Sequence, residues 1–265
     1  MNQKSSIEVL IQRDRLWITL ALVASISLAW AWLVRESSAM DMLTLEAQRH
    51  ASMGMVVINM RAWGLSDWPA LFVMWTAMMA GMMLPSAAPV ILLVLGAYRL
   101  RKDDQARLAA VMFMGGYVLV WTAFSAFAAG GQIALHRAAV LNDDMRLHST
   151  VLAGVILLAA GIYQWLPVKT HCLVRCQAPL AFLTQHWRPG IRGGLLMGLR
   201  HGASCVGCCW LLMVLLFVLG VMDLAWVAAL AVLVLLEKLA PGGAVIGRVA
   251  GVAAAGWGIY LLGWA

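Results

Sequence analysis

Three cysteines and one histidine lie close together in one apolar segment of the chain, His201-Gly202-Ala203-Ser204-Cys205-Val206-Gly207-Cys208-Cys209. In an α-helix each residue advances by about 100° around the axis. With His201 taken as zero, Cys205, Cys208 and Cys209 lie at about 40°, 340° and 80°. The four side chains therefore share one helix face, and three thiols with an imidazole are typical metal ligands.

Two further cysteines precede this segment, in His171-Cys172-Leu173-Val174-Arg175-Cys176. We expect Cys172, Cys176 and His171 to form a second metal-binding station, in a cytoplasmic loop. One alternative is that the cysteines are small apolar packing residues without a chemical role. Another is that the protein is a quinone-linked thiol oxidoreductase that uses Cys205 and Cys208. A structural disulfide is disfavoured, because every cysteine falls on the reducing side of the membrane or deep within the bilayer.

Glycines recur every four residues on the thiol face of the same segment, at Gly194, Gly198 and Gly202. Small residues at this spacing let two membrane helices approach closely. The pattern predicts that the thiols face the interior of a helix bundle.

A second set of soft ligands lies in the segment Met74-Trp75-Thr76-Ala77-Met78-Met79-Ala80-Gly81-Met82-Met83-Leu84-Pro85. Met74, Met78 and Met82 repeat at every fourth position and form one stripe. Such a stripe is either flexible core filling or a set of thioether ligands. We expect Pro85 to interrupt the helix, and we expect Met82 and Met83 to lie at the depth of Cys208 and Cys209.

The chemistry of these ligands favours Cu(I), with zinc as the second choice. Thiolates and thioethers select Cu(I) among the biological metals. A Cu(I) ion with one thiolate and a neutral ligand carries no net charge, which is the less costly state in hydrocarbon. Glu237 is the one candidate acid or base, and the pair Glu237-Lys238 is either an interfacial ion pair or a carboxylate folded in beside the thiols.

The composition indicates a membrane protein. Of 265 residues, 63% are hydrophobic and 12% are charged, whereas soluble domains are about half apolar and a quarter charged. The fold class is all-α, a single transmembrane domain over residues 1–265. We predict about seven membrane helices, near 16–34, 69–95, 109–134, 150–166, 194–220, 224–236 and 245–263.

The basic residues predict the orientation of these helices. With a cytoplasmic N-terminus, 14 of the 19 Lys and Arg residues fall in cytoplasmic segments and 5 fall outside, as the positive-inside rule requires. The chain is therefore expected in a bacterial inner membrane as a multi-pass protein. Its expected partners are the lipid bilayer, a metal ion and other membrane subunits. The scattered basic residues form no stripe suited to nucleic acid.

Several of these segments together resemble a known family. The methionine segment, His171-Cys172 with Cys176, the Gly202–Trp210 segment and Glu237-Lys238-Leu239 are similar to the signature of a bacterial family of predicted metal-binding integral membrane proteins. The resemblance covers about residues 70 to 262, and it implies metal binding without specifying a reaction or a substrate.

These features predict a protein that transports copper across the membrane or delivers it to a membrane enzyme. The expected ligands are His201, Cys205, Cys208 and Cys209, with Met78 and Met82 facing them. A metal-dependent membrane oxidoreductase with a fixed site is the first alternative, and an accessory subunit with structural thiols is the second. Whether the chain is an enzyme stays open at this point.

Overall fold

The computed structural model describes residues 2–53, 64–138, 140–141 and 146–264, and most of these residues are helical. A short 3-10 turn, Leu65–Asp67, precedes the second helix. The α-helices are α1 (Asn2–Ser52), α2 (Trp68–Leu100), α3 (Ala106–Arg137), α4 (Thr150–Tyr163), α5 (Pro167–Gln177), α6 (Pro179–His186), α7 (Gly190–Val214), α8 (Leu216–Leu219), α9 (Leu224–Leu239) and α10 (Gly243–Gly263). The all-α prediction is confirmed.

The predicted number of helices was wrong. Within the described residues nine helices have eight residues or more, and α8 adds a single turn. In the described part of the chain, five segments are long and apolar enough to cross a membrane, or six if α4 and α5, which meet at a 61° bend, form one broken span. The predicted segment 224–236 became α9, which has only 16 residues. The predicted first helix, 16–34, belongs to the much longer α1, and residues 54–63 lie outside the described part.

The boundaries of the later helices follow from their breaker residues. Pro167 occupies the first turn of α5, where its missing N–H costs no helical hydrogen bond. Gly190 and Gly242 adopt positive φ angles of 72° and 80° where α7 and α10 begin, a conformation that favours glycine. These residues therefore mark where α5, α7 and α10 begin.

Pro85 does not break α2, contrary to expectation. The helix runs without interruption through Pro85 and Pro89. A proline removes the N–H that would bond the carbonyl four residues earlier, which for Pro85 is the carbonyl of Gly81. The indole N–H of Trp30, on α1, donates to this carbonyl at 3.3 Å. A neighbouring helix thus supplies the missing donor, as is required where no water is present.

The glycine stripe of α7 is a packing surface, as predicted. A Cβ atom at Gly194 or Gly198 would overlap a backbone carbonyl of α3, that of Ala109 or Phe113 respectively. A Cβ at Gly202 would lie 3.0 Å from the Cβ of Val120. The backbones of α3 and α7 therefore touch along several turns, and the thiol face of α7 is held against the interior.

A second glycine interface, which was not predicted from the sequence, joins α4 to α10. A Cβ at Gly161 would lie 2.6 Å from the carbonyl oxygen of Gly251, and one at Gly258 would lie 2.7 Å from that of Gly154. These glycines are seven residues apart on each helix, so they recur on one face after about two turns.

The α3–α7 contact predicts a sharp difference between two alanine substitutions. Gly198→Ala should lower the thermal unfolding temperature in detergent, because its Cβ collides with backbone, at a cost of roughly 1–3 kcal/mol. Gly115→Ala, on α3, is the matched control, because no atom lies within 4 Å of its Cβ position. Equal unfolding temperatures for the two variants would show that α7 does not pack against α3 as described.

Candidate metal centre

Cys205, Cys208 and Cys209 form one buried group on α7. Their exposed fractions are 1% or less. The thiols of Cys208 and Cys209 both donate to the carbonyl oxygen of Cys205, at 3.1 and 2.9 Å. Because both sulfur atoms bond to the same carbonyl oxygen, the thiols of Cys208 and Cys209 lie near each other. The prediction that these thiols share an inward face is confirmed.

The sulfur of Cys205 connects α7 to two other helices. Lys238 of α9 places its ammonium nitrogen 2.8 Å from this sulfur, and the hydroxyl of Tyr117, on α3, lies 3.1 Å from it. Lys238 also donates to the hydroxyl of Ser86, on α2, at 3.2 Å. A buried cation therefore lies directly beside a buried thiol, and this contact joins α2, α7 and α9.

Cys172 and Cys176 lie on helix α5 and not in a loop, which corrects the sequence prediction. Cys176 is buried and interacts through its side chain with Cys208. The sulfur of Cys172 packs against the bare backbone of Gly207, at 2.8 Å from the position of a Cβ there. Both cysteines of α5 therefore contact the thiol segment of α7, and their role as a second metal-binding station stays a prediction.

His171 faces away from the buried thiols. It is exposed on another face of α5, where it lines a surface groove with Trp165 and Arg248. His171 therefore lies on a different face of α5 from Cys176, and its role as a metal ligand stays a prediction. Adjacent residues of a helix point about 100° apart, so a histidine next to a packed cysteine faces elsewhere.

His201 is buried one turn before Cys205. Its ring lies among the rings of Phe113, Tyr117 and Phe182, with centroid separations of 5.8, 5.8 and 5.2 Å. Its Nδ1 atom is buried and has no hydrogen-bond partner among the described residues. A buried polar atom without a partner is costly, and an imidazole nitrogen in this state has the chemistry of a metal ligand.

Met74, Met78 and Met82 are buried on α2, together with Met79 and Met83. Helices α2 and α7 run antiparallel, and the contacts between them show which residues of the two helices lie at the same level. The ring of Trp75 lies 5.2 Å from that of Phe217, near the far end of α7. The Tyr98 hydroxyl donates to the carbonyl of Arg188 at 2.6 Å, just before α7 begins.

Between these two levels, Lys238 joins Ser86 to Cys205. Met82 and Met83 precede Ser86 by about one turn, and Cys208 and Cys209 follow Cys205 by about one turn. The register therefore places these thioethers and thiols at about the same level, as predicted.

Glu237 and Lys238 do not form an interfacial ion pair. Both are buried, with exposed fractions of 1% and 6%. The carboxylate of Glu237 instead accepts two hydrogen bonds from Lys169, at 2.7 and 2.8 Å, and Lys169 also donates to Gln164. Lys169 is buried as well, with an exposed fraction of 2%. Glu237 therefore serves as the counter-ion of Lys169, and its role as an acid or base stays a prediction.

The described residues contain no group of three or more His, Cys, Asp and Glu side chains already arranged around a metal position. The soft donors present are thiols, thioethers and one unpartnered imidazole nitrogen. This donor set fits Cu(I), which prefers sulfur ligands and is satisfied by two or three of them.

The comparisons with known proteins agree with this donor chemistry. A family model described as a copper chaperone, PpoB2, matches residues 72–261. The match covers most of the chain, so this protein belongs to the PpoB2 copper chaperone family. No curated protein and no solved structure gives a match. The matched range includes every thiol discussed above, and copper is the metal that the family description names.

The buried ion pair between Lys169 and Glu237 yields a second prediction. Lys169→Met should destabilise the protein by roughly 3–5 kcal/mol, because it leaves the carboxylate of Glu237 buried without a cation. The measurement is thermal unfolding in detergent. Adding Glu237→Gln to this variant should recover a large part of the loss, because the uncompensated charge is then gone. An unfolding temperature unchanged in the single variant would contradict a buried pair.

Proposed function

We propose that this protein is a membrane-embedded chaperone that holds one Cu(I) ion at the α7 thiols and delivers it to a membrane enzyme. The observation that carries the proposal is the buried thiol group of Cys205, Cys208 and Cys209, with Cys176 beside it. Met82 and His201 are the further candidate ligands. Copper is the cargo here and not a resident cofactor.

The buried charges support a two-thiolate Cu(I) centre. Two thiolates and one Cu(I) carry a net charge of −1, which is costly among apolar helices unless a cation lies beside it. Lys238 provides that cation, 2.8 Å from the sulfur of Cys205. The complete unit of metal, two thiolates and ammonium is then neutral. After copper has left, the same ammonium group still lies beside Cys205. A thiolate that remains at Cys205 is therefore still paired with a cation.

The length and hydropathy of the helices support a multi-pass protein. The distribution of basic residues supports a cytoplasmic N-terminus in a bacterial inner membrane. In that orientation α5, α6 and the start of α7 lie on the cytoplasmic side, and the thiols lie deeper.

Two observations favour delivery over the alternatives. The family description is that of a chaperone, which hands its metal to a partner. A metal-dependent oxidoreductase would need a free acid or base, but Glu237 is paired with Lys169.

The proposal predicts the metal content of the purified protein. Under reducing conditions the wild type should retain about one Cu(I) per chain in preference to zinc, because soft ligands select Cu(I). Replacing Cys208 and Cys209 together with Ser should abolish retention. Ser hydroxyls can make the same bonds to the Cys205 carbonyl, so the fold should survive. Met82→Leu should weaken binding without removing it. Elemental analysis after gel filtration measures the copper and zinc content of the wild type, of the double serine variant and of Met82→Leu.

The matched control is Cys172→Ser, which removes a thiol that packs against Gly207, outside the α7 group. This variant should retain copper at equilibrium. Copper retained by the Cys208/Cys209 double variant, or zinc preferred by the wild type, would refute the proposal and favour structural thiols.

A further inference from the structure

A surface groove opens beside the thiol group, between α5, α6 and α7. Its volume is about 290 Å³. Cys172 and Arg175 line it from α5, His186 from α6, and Arg200 and Ser204 from α7. The groove therefore presents a thiol and two guanidinium groups at one opening.

The two arginines of the groove form no ion pair within the described part of the protein. Arg175 and Arg200 are both exposed. Arg175 is close enough to act electrostatically on Cys172. A guanidinium group pairs with carboxylates in a two-pronged geometry, so a groove with two unpaired arginines suits a small molecule that bears carboxylates.

Cys172 connects this groove to the buried thiols. Its side chain is half-buried and lines the groove, yet its sulfur packs against Gly207, the residue before Cys208. On the same helix, one turn further on, Cys176 interacts with Cys208. The thiols thus form a continuous series from the surface to the centre.

We propose, on the basis of the function proposed above, that this groove docks a small anionic thiol that carries Cu(I), and that Cys172 receives the ion from it. The volume suits a molecule the size of a tripeptide and is too small for a folded protein domain. In the transfer, a bond forms between Cu(I) and the Cys172 sulfur as the bond to the carrier sulfur breaks. The proton of the Cys172 thiol passes to the departing carrier thiolate. Copper stays Cu(I), so no oxidant or reductant is needed.

The test compares copper uptake from two carriers by the full-length protein in detergent. The probes are Cu(I) bound by glutathione, which bears carboxylates, and Cu(I) bound by neutral 2-mercaptoethanol. The double variant Arg175→Gln with Arg200→Gln should take up copper from glutathione about tenfold more slowly than the wild type, since attraction of opposite charges raises association rates by at least this factor. Its uptake from 2-mercaptoethanol should be unchanged.

Two further variants control this experiment. Arg188→Gln with Arg192→Gln removes the same charge from exposed residues at the same end of the protein but outside the groove, and it should behave as wild type with both carriers. Cys172→Ser should slow uptake from glutathione while leaving the final copper content unaltered.

The outcomes separate the two proposals. If the groove variant takes up copper from glutathione at the wild-type rate, or if the control double variant is slowed equally, the docking proposal is refuted and the proposed function stands. If the wild type retains copper from neither carrier, the proposed function fails, and the docking proposal fails with it.

Discussion

Lys238 imposes the main constraint on this structure, because it carries an ammonium group into the apolar centre of a helix bundle. A charge in such a place is strongly destabilising unless polar groups surround it. The partners found for it are the hydroxyl of Ser86 and the sulfur of Cys205. These two contacts bring helices α2, α7 and α9 together at one level, and they place the sulfur of Cys205 directly beside the cation.

The packing of α7 against α3 makes the arrangement possible. Gly198 allows the two backbones to touch, and this contact brings Tyr117 close enough to Cys205 for a hydrogen bond. Close-packed interiors tolerate little displacement, so the thiols are held in fixed positions relative to the ammonium. In the proposed function, a Cu(I) ion at this site would find sulfur ligands close by and a cation that balances the charge of a thiolate.

Much of this could be predicted from the sequence, because it depends on local spacing. The 100° step of a helix predicted the inward face of Cys208 and its neighbours, and the glycine repeat predicted the contact with α3. The missed features depend on tertiary contacts between residues distant in the sequence. Lys169 has the sequence signal of a loop cation, and only its ion pair with Glu237, 68 residues away, shows that it is buried. Likewise, Pro85 looks like a helix break until Trp30 is found to supply the missing donor.

The central claim is that Cu(I) binds to sulfur at the level of Lys238. X-ray absorption at the copper edge of the copper-loaded protein tests this most directly, because it reports the oxidation state and the ligand atoms together. We expect Cu(I) with two or three ligands, of which at least two are sulfur. Cu(II), or a first coordination shell made mainly of nitrogen and oxygen, would contradict the account.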